Sequence, residues 1–166
     1  MQDENTVEQK HHLIEHLDEL KEVTADCISK SRQTVQLYTH NLDPRILNHP
    51  NISTLLTKFI QQSSKVRIEM LIADEANLRG VDHLLINLTQ RFTTYSKIKV
   101  IPKEYLDNRY AFYLFDGRTM LYRNNAERYE TELLTLPNAK LNQMRKLFKE
   151  IWQQASPASR FRSLNI

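Results

Sequence analysis

Cysteine and glycine are nearly missing from this chain. Cys27 is the only cysteine among 166 residues, so no internal disulfide forms. Gly80 and Gly117 are the only glycines. Walker-type and dinucleotide-binding loops need several, so that backbone N–H groups can reach phosphates, and both loops are therefore excluded. No apolar run reaches the ~18 residues that span a bilayer. The first residues, Met1-Gln2-Asp3-Glu4-Asn5, are acidic with no apolar stretch behind them, unlike a secretory signal. Free thiol chemistry without an export signal leads us to expect a cytoplasmic location. No Gly-x-Ser-x-Gly elbow occurs, and no cofactor is implied.

What remains is an ordinary soluble composition, 40% apolar and 26% charged. The charge is unevenly spread. Residues 1–26 hold eight acids against Lys10 and Lys21, a net of −6, while the remainder carries +9. An acidic arm beside a basic body fits either self-shielding or a body that meets anions.

Apolar residues at Leu13, Leu17, Leu20, Thr24 and Cys27 recur with helical spacing, which predicts a helix over residues 4–30. Extended runs are expected at 33–38, 66–73, 98–101 and 129–135. Between them, amphipathic helices are predicted from Asn51 or Ser53 to Ile60, and over 81–92. A last helix carries Leu141, Met144, Phe148, Ile151 and Trp152 and stops at Ser156-Pro157. Residues 40–51, with Pro44 and Pro50, read as a loop. Asp116-Gly117 between two apolar runs is the strongest hairpin signal in the chain. Strands separated by helices imply parallel pairing, and the late hairpin adds antiparallel strands. The expected fold is α/β, a single mixed sheet flanked by helices. The expected organisation is an N-terminal helix at 1–31, a body at 32–156 and a tail at 157–166.

The hairpin Arg109-Tyr-Ala-Phe-Tyr-Leu-Phe-Asp116-Gly-Arg-Thr-Met-Leu-Tyr-Arg123-Asn-Asn125 resembles the signature hairpin of the phospholipase D superfamily, H-x-K-x4-D followed by Gly-Ser and often Asn. Phe112 to Asp116 match the apolar strand and its aspartate, and Arg123-Asn124-Asn125 stand in place of the Gly-Ser-x-Asn segment. The resemblance covers residues 33–155, and motif-degenerate bacterial domains of that superfamily are its nearest likeness. It implies one repeat of a phospholipase D-like fold. Active members pair two motifs, so a single repeat implies a homodimer. The family's nucleophilic histidine falls at Arg109 and its lysine at Ala111. A guanidinium stays protonated and offers no lone pair, and alanine carries no charge. The resemblance thus points to the scaffold without its reaction, with no catalytic residue assigned.

The candidate anion-binding residues are Arg109, Asp116, Arg123 and Asn124 around the hairpin, and His83 near the carboxyl ends of the parallel strands. Arg118 and Arg128 lie nearby, with Tyr110, Tyr113, Tyr122 and Tyr129 interleaved. Arginine forks suit phosphate, and the alternative is pairing with Glu127, Glu130 or Glu132. For His83 and Asp74 the alternative is a surface histidine and a helix-capping aspartate. His12 and His16 are spaced for one helix face but lack a third ligand, so no metal is expected. Cys27 is read as buried and inert. Lys140, Arg145, Lys146, Lys149, Arg160 and Arg162 make the C-terminal segment basic. The leading expectation is a non-catalytic binding or assembly module with a phosphate pocket, partnered by a second copy or another protein. The alternatives are a homodimeric phosphodiesterase or nuclease with displaced catalytic groups such as His83, and a nucleic-acid-binding protein using the basic helix and hairpin arginines.

Overall fold

The computed structural model describes residues 12–158. Among them the chain runs β1 (His12–Ile14), α1 (Leu17–Lys30), β2 (Thr34–Tyr38), α2 (Pro44–Leu47), α3 (Pro50–Gln61), β3 (Arg67–Ile72), α4 (Leu84–Arg91), β4 (Ser96–Val100), β5 (Ala111–Phe115), β6 (Thr119–Arg123), β7 (Thr131–Thr135), α5 (Ala139–Gln154) and β8 (Ser156–Pro157), with short 3-10 turns at Glu75–Leu78 and Lys103–Tyr105. The strands form one sheet in the order β1-β7-β6-β5-β2-β3-β4-β8. β2, β3 and β4 are parallel, as the intervening helices require, and β2 meets β5 antiparallel. The fold is the α/β mixed sheet expected from the sequence.

The two sheet faces follow from strand alternation. Val35, Leu37, Ile68, Met70 and Tyr113 point to one face and pack with Leu20, Ile28, Leu56, Phe59 and Leu85 from α1, α3 and α4. Tyr38, Leu71, Phe112, Leu114 and Met120 point to the other, where α5 lays down Leu141, Met144, Phe148 and Ile151. β5 is covered on both sides, and all five of its residues are buried, consistent with its continuous apolar run.

Several expectations need correction. The first helix begins at Leu17, and His12–Ile14 is a strand antiparallel to β7. β7 would otherwise present an open edge, and three added residues cover it while burying Ile14 completely. Residues 4–11 of the predicted helix lie outside the described residues. Leu13 is 48% exposed rather than part of the helix stripe, whose buried members are Leu20, Thr24 and Ile28. The loop at 40–51 contains α2, and α3 is capped by His49 rather than Asn51 or Ser53. Pro50 opens α3 because its missing N–H is one the first turn leaves without a partner anyway. Ser156-Pro157 ends α5 as expected and then pairs with β4 as a short edge strand.

The hairpin turn is decided by backbone chemistry. Asp116 and Gly117 both have positive φ, 55° and 64°, the combination that matches the right-handed twist of paired strands. The Asp116 carboxylate accepts hydrogen bonds from the backbone N–H groups of Arg32 (2.9 Å), Gln33 (2.7 Å) and Thr34 (3.0 Å). It thereby fastens the α1–β2 junction to a turn more than eighty residues away. Asp116→Ala should lower stability by about 2–3 kcal/mol in urea unfolding, with Asp116→Asn costing about half as much because asparagine keeps one acceptor and tolerates the left-handed conformation. An unchanged midpoint in Asp116→Ala would show that water replaces the carboxylate without loss.

Candidate functional site

β2, β3 and β4 run in one direction, so the segments leaving them collect at one end of the sheet. The register pairs Tyr38 with Phe112 and Ala111 with Arg123, which brings the start of β5 and the end of β6 to that same end. A crevice at the carboxyl ends of parallel strands follows from this topology. It is an open cleft of about 680 Å³ lined by His40, Asn41, Asp43, Arg45, Arg109, Asn125, Glu127 and Tyr129, among others.

The floor of the cleft is a strained loop. Leu42 and Asp43 both have positive φ, 60° and 37°, which side-chain-bearing residues rarely adopt. Bonds from all sides hold them there. Leu42 N–H donates to Thr39 Oγ1 (3.0 Å), and Asp43 N–H donates to Asn41 Oδ1 (3.1 Å). The Leu42 carbonyl accepts from His83 Nε2 (2.9 Å). Asp43 itself is buried, and its Oδ2 accepts from both the Tyr113 hydroxyl and Arg123 Nη2. Arg123 also donates to the Ala126 carbonyl (2.8 Å) and lies over the Tyr113 ring. Burial pushes the Tyr113 phenol well above its ordinary pKa, with the Asp43 charge adding to the rise, so it stays a donor.

This arrangement redistributes the residues nominated from sequence. Arg109 lines the cleft, is exposed, and its guanidinium has no partner among the described residues. Arg123 reaches the same end of the sheet but is buried and neutralised by Asp43, not by Glu127, Glu130 or Glu132. Asn124 is exposed beside the cleft, and its neighbour Asn125 is the one that lines it. Asp116 lies at the opposite end of β5, about 17 Å away by strand rise, and so does not join Arg109. Arg118 belongs to that turn end too, so the four hairpin arginines do not form one cluster.

His83 is the cap of α4 and is only 1% exposed, not a surface residue. Its Nδ1 accepts from Leu85 N–H (3.1 Å) while Nε2 donates to Leu42, so both ring nitrogens are occupied. Burial holds its pKa below 6.5, against the opposing effect of the Leu42 carbonyl. Asp74 caps the following 3-10 turn through Ala76 N–H (2.8 Å). His12 sits on β1 and bonds Glu19 (2.8 Å), while His16 caps α1, so the two do not share a helix face. Cys27 is half-buried and burial raises its thiol to about 12, beyond nucleophilic use near neutrality. Among the described residues no His, Cys, Asp or Glu cluster suited to a metal occurs, and no helix is long and apolar enough to cross a membrane.

Sequence reasoning missed His40, Asp43 and Arg45. His40 lies two residues beyond the end of β2, where such crevices draw their residues, and Asp43-Pro44 is a turn dipeptide. Those signals were available. The pairing of Asp43 with Arg123, eighty residues apart, had none.

A protein-family model described as domain of unknown function (DUF7931) matches residues 16–164. The chain belongs to this family. Among solved structures, the family fold seen here is similar to NucT from Helicobacter pylori, with TM-score 0.65 and 14% identity over 90% of this chain and 99% of NucT. It is also similar to TrmBL2, an archaeal chromatin protein with a novel mode of DNA binding (TM-score 0.61, 11% identity, 94% of this chain and 56% of TrmBL2). Phosphatidylserine synthase from Haemophilus influenzae Rd KW20 gives TM-score 0.59 and 14% identity over 89% of this chain and 39% of the synthase. The chain therefore spans nearly all of NucT but only about half of TrmBL2 and less of the synthase. At these identities the likeness is one of fold, and that fold is phospholipase D-like. No curated protein matches the chain.

Two measurements test this geometry. Asp43→Ala or Arg123→Met leaves the other charge buried alone and should cost about 3–5 kcal/mol, whereas Arg109→Ala should stay within about 0.5 kcal/mol of the parent in the same unfolding assay. His83 is neutral when folded, with its pKa depressed below 6.5. Its contribution to stability is therefore complete above pH 6.5 and is lost as the pH falls from there through the folded-state value. His83→Asn, which keeps the cap, should flatten that part of the stability profile, and an unaltered profile would show that the imidazole protonates freely in place.

Proposed function

We propose that the chain is a binding module whose cleft holds a phosphate or similar compact anion on a phospholipase D-like scaffold that does not carry out the scaffold's usual turnover. The observation that carries this reading is that Arg45 and Arg109 line one cleft in which, among the described residues, Glu127 is the only carboxylate left uncompensated, Asp43 being neutralised by Arg123. Arg45 is steadied by donating to the Tyr129 hydroxyl (2.8 Å) and Arg109 is free to fork onto an oxyanion. Asn41, Asn125 and His40 supply neutral hydrogen-bonding groups around them. In the resemblance to the phospholipase D superfamily, Arg109 falls at the histidine position, and Ala111, at that of the lysine, is a fully buried methyl that cannot reach a phosphoryl oxygen.

Inorganic phosphate or sulfate, titrated by calorimetry, should bind about tenfold more weakly to Arg109→Ala and to Arg45→Ala, the loss of one charge-assisted contact each. Affinity unchanged in both variants would remove the pocket. A second reading, a phosphodiesterase with a displaced imidazole, draws support from His40. Its Nε2 lies 3.3 Å from the Tyr110 carbonyl, which leaves Nδ1 without a partner among the described residues. That reading requires chelator-resistant hydrolysis of a phosphodiester that disappears in His40→Ala. His83, its earlier candidate, is sealed beneath the loop.

A further inference from the structure

A second concave surface lies on the other face of the sheet and at its other end. Helix α5 covers Tyr38, Leu71 and Phe112 but stops short of the amino-terminal rows of β2, β3 and β4. There the sheet carries Gln36, Glu69 and Lys97 side by side, the first two joined by a hydrogen bond of 2.9 Å. A covered sheet face carries apolar side chains, as Tyr38 and Leu71 in the neighbouring row do beneath α5. The floor is therefore suited to a polar, hydrated ligand rather than to an apolar protein partner. Between this floor and α5 runs a groove of about 660 Å³.

The α5 wall of the groove is cationic. Arg145, Lys146 and Lys149 line it, all three exposed. Lys146 and Lys149 have no partner among the described residues, and Arg145 donates only to uncharged oxygens, of Gly117 (3.3 Å) and Asn142 (2.9 Å). Two acids face them, Glu69 hydrogen-bonded to the Gln36 amide and Asp116 to three backbone N–H groups, so the groove sets three cations against two carboxylates that neutral donors hold in place. Trp152, at the end of the wall, lies nearly parallel to Phe148 with 6.0 Å between ring centroids and has the Lys99 ammonium 4.3 Å from its own.

We propose that this groove is a sequence-independent site for the phosphate backbone of a single-stranded nucleic acid. The three cations lie within ~6 Å of one another along the helix axis, at ~1.5 Å per residue, close enough to reach about two consecutive phosphates of one strand. Their recessed position, with a sheet floor below, suits a strand lying in a channel better than a flat anionic membrane. The site stands apart from the cleft at the carboxyl ends of the strands and does not rest on it.

The test is fluorescence anisotropy with a labelled oligothymidine across a salt series, using the full chain. The parent protein should bind, with an affinity that falls steeply with salt. Lys146→Gln/Lys149→Gln should bind at least tenfold more weakly and reduce the slope of log K against log[salt] by ~1.4, at ~0.7 for each phosphate contact removed. Lys58→Gln, an exposed lysine on α3 at the opposite face of the sheet, should bind the oligonucleotide as the parent does. Both lysines are exposed, so folding is spared, and charge reversal to Glu provides a second variant with a larger expected loss. Parent protein that fails to bind the oligonucleotide, a lysine variant with unchanged affinity and slope, or binding only to phosphatidylserine vesicles would overturn the assignment. Loss of oligonucleotide binding in Arg109→Ala alone would overturn it too, by moving the site to the cleft.

Discussion

The carboxylate of Asp43 organises the end of the sheet on which the candidate cleft is built. It is buried, and a buried charge is tolerated only when paired and hydrogen-bonded. Arg123 from β6 and Tyr113 from β5 meet that requirement together. Through them the strained segment after β2 is tied to both strands of the hairpin, and Leu42 and Asp43 are held in a conformation the chain would otherwise avoid. The same pairing removes Arg123 from the inventory of free cations, leaving Arg45 and Arg109 to define the charge of the opening above.

A second carboxylate, Asp116, performs a comparable task at the other end of β5. It converts a hairpin turn into an anchor for the α1–β2 junction by accepting three backbone N–H groups. The two acidic residues most prominent in the architecture are thus occupied internally, one at each end of the same strand. The cations that line the two concave surfaces are Arg45, Arg109, Arg145, Lys146 and Lys149. At the carboxyl end they sit in an open cleft, and at the amino end along α5 beside a polar sheet face.

Much of this was visible in the linear chain. The order of strands and helices followed from apolar periodicity, and the hairpin from Asp116-Gly117, where two positive φ values are needed and only a few residue types supply them. The grouping of Arg109 with Asp116 in one pocket did not survive, although strand rise alone sets them at opposite ends of β5. His12–Ile14 was read as helix because Leu13 and Leu17 share the spacing of the residues that follow. What overrode that spacing was the open edge of β7, over a hundred residues further on.

The linear chain was enough to reveal the α/β alternation, the turn at Asp116-Gly117 and the presence of Arg109 and Ala111 at the start of the hairpin. Each is a matter of local backbone preference or of which atoms a side chain contains. Only the folded chain shows that Arg123 is neutralised while the Arg109 guanidinium has no partner among the described residues, and that both nitrogens of His83 are occupied under Leu42. Those outcomes depend on which distant groups share a buried space, and desolvation makes their pairing compulsory only once the chain has folded.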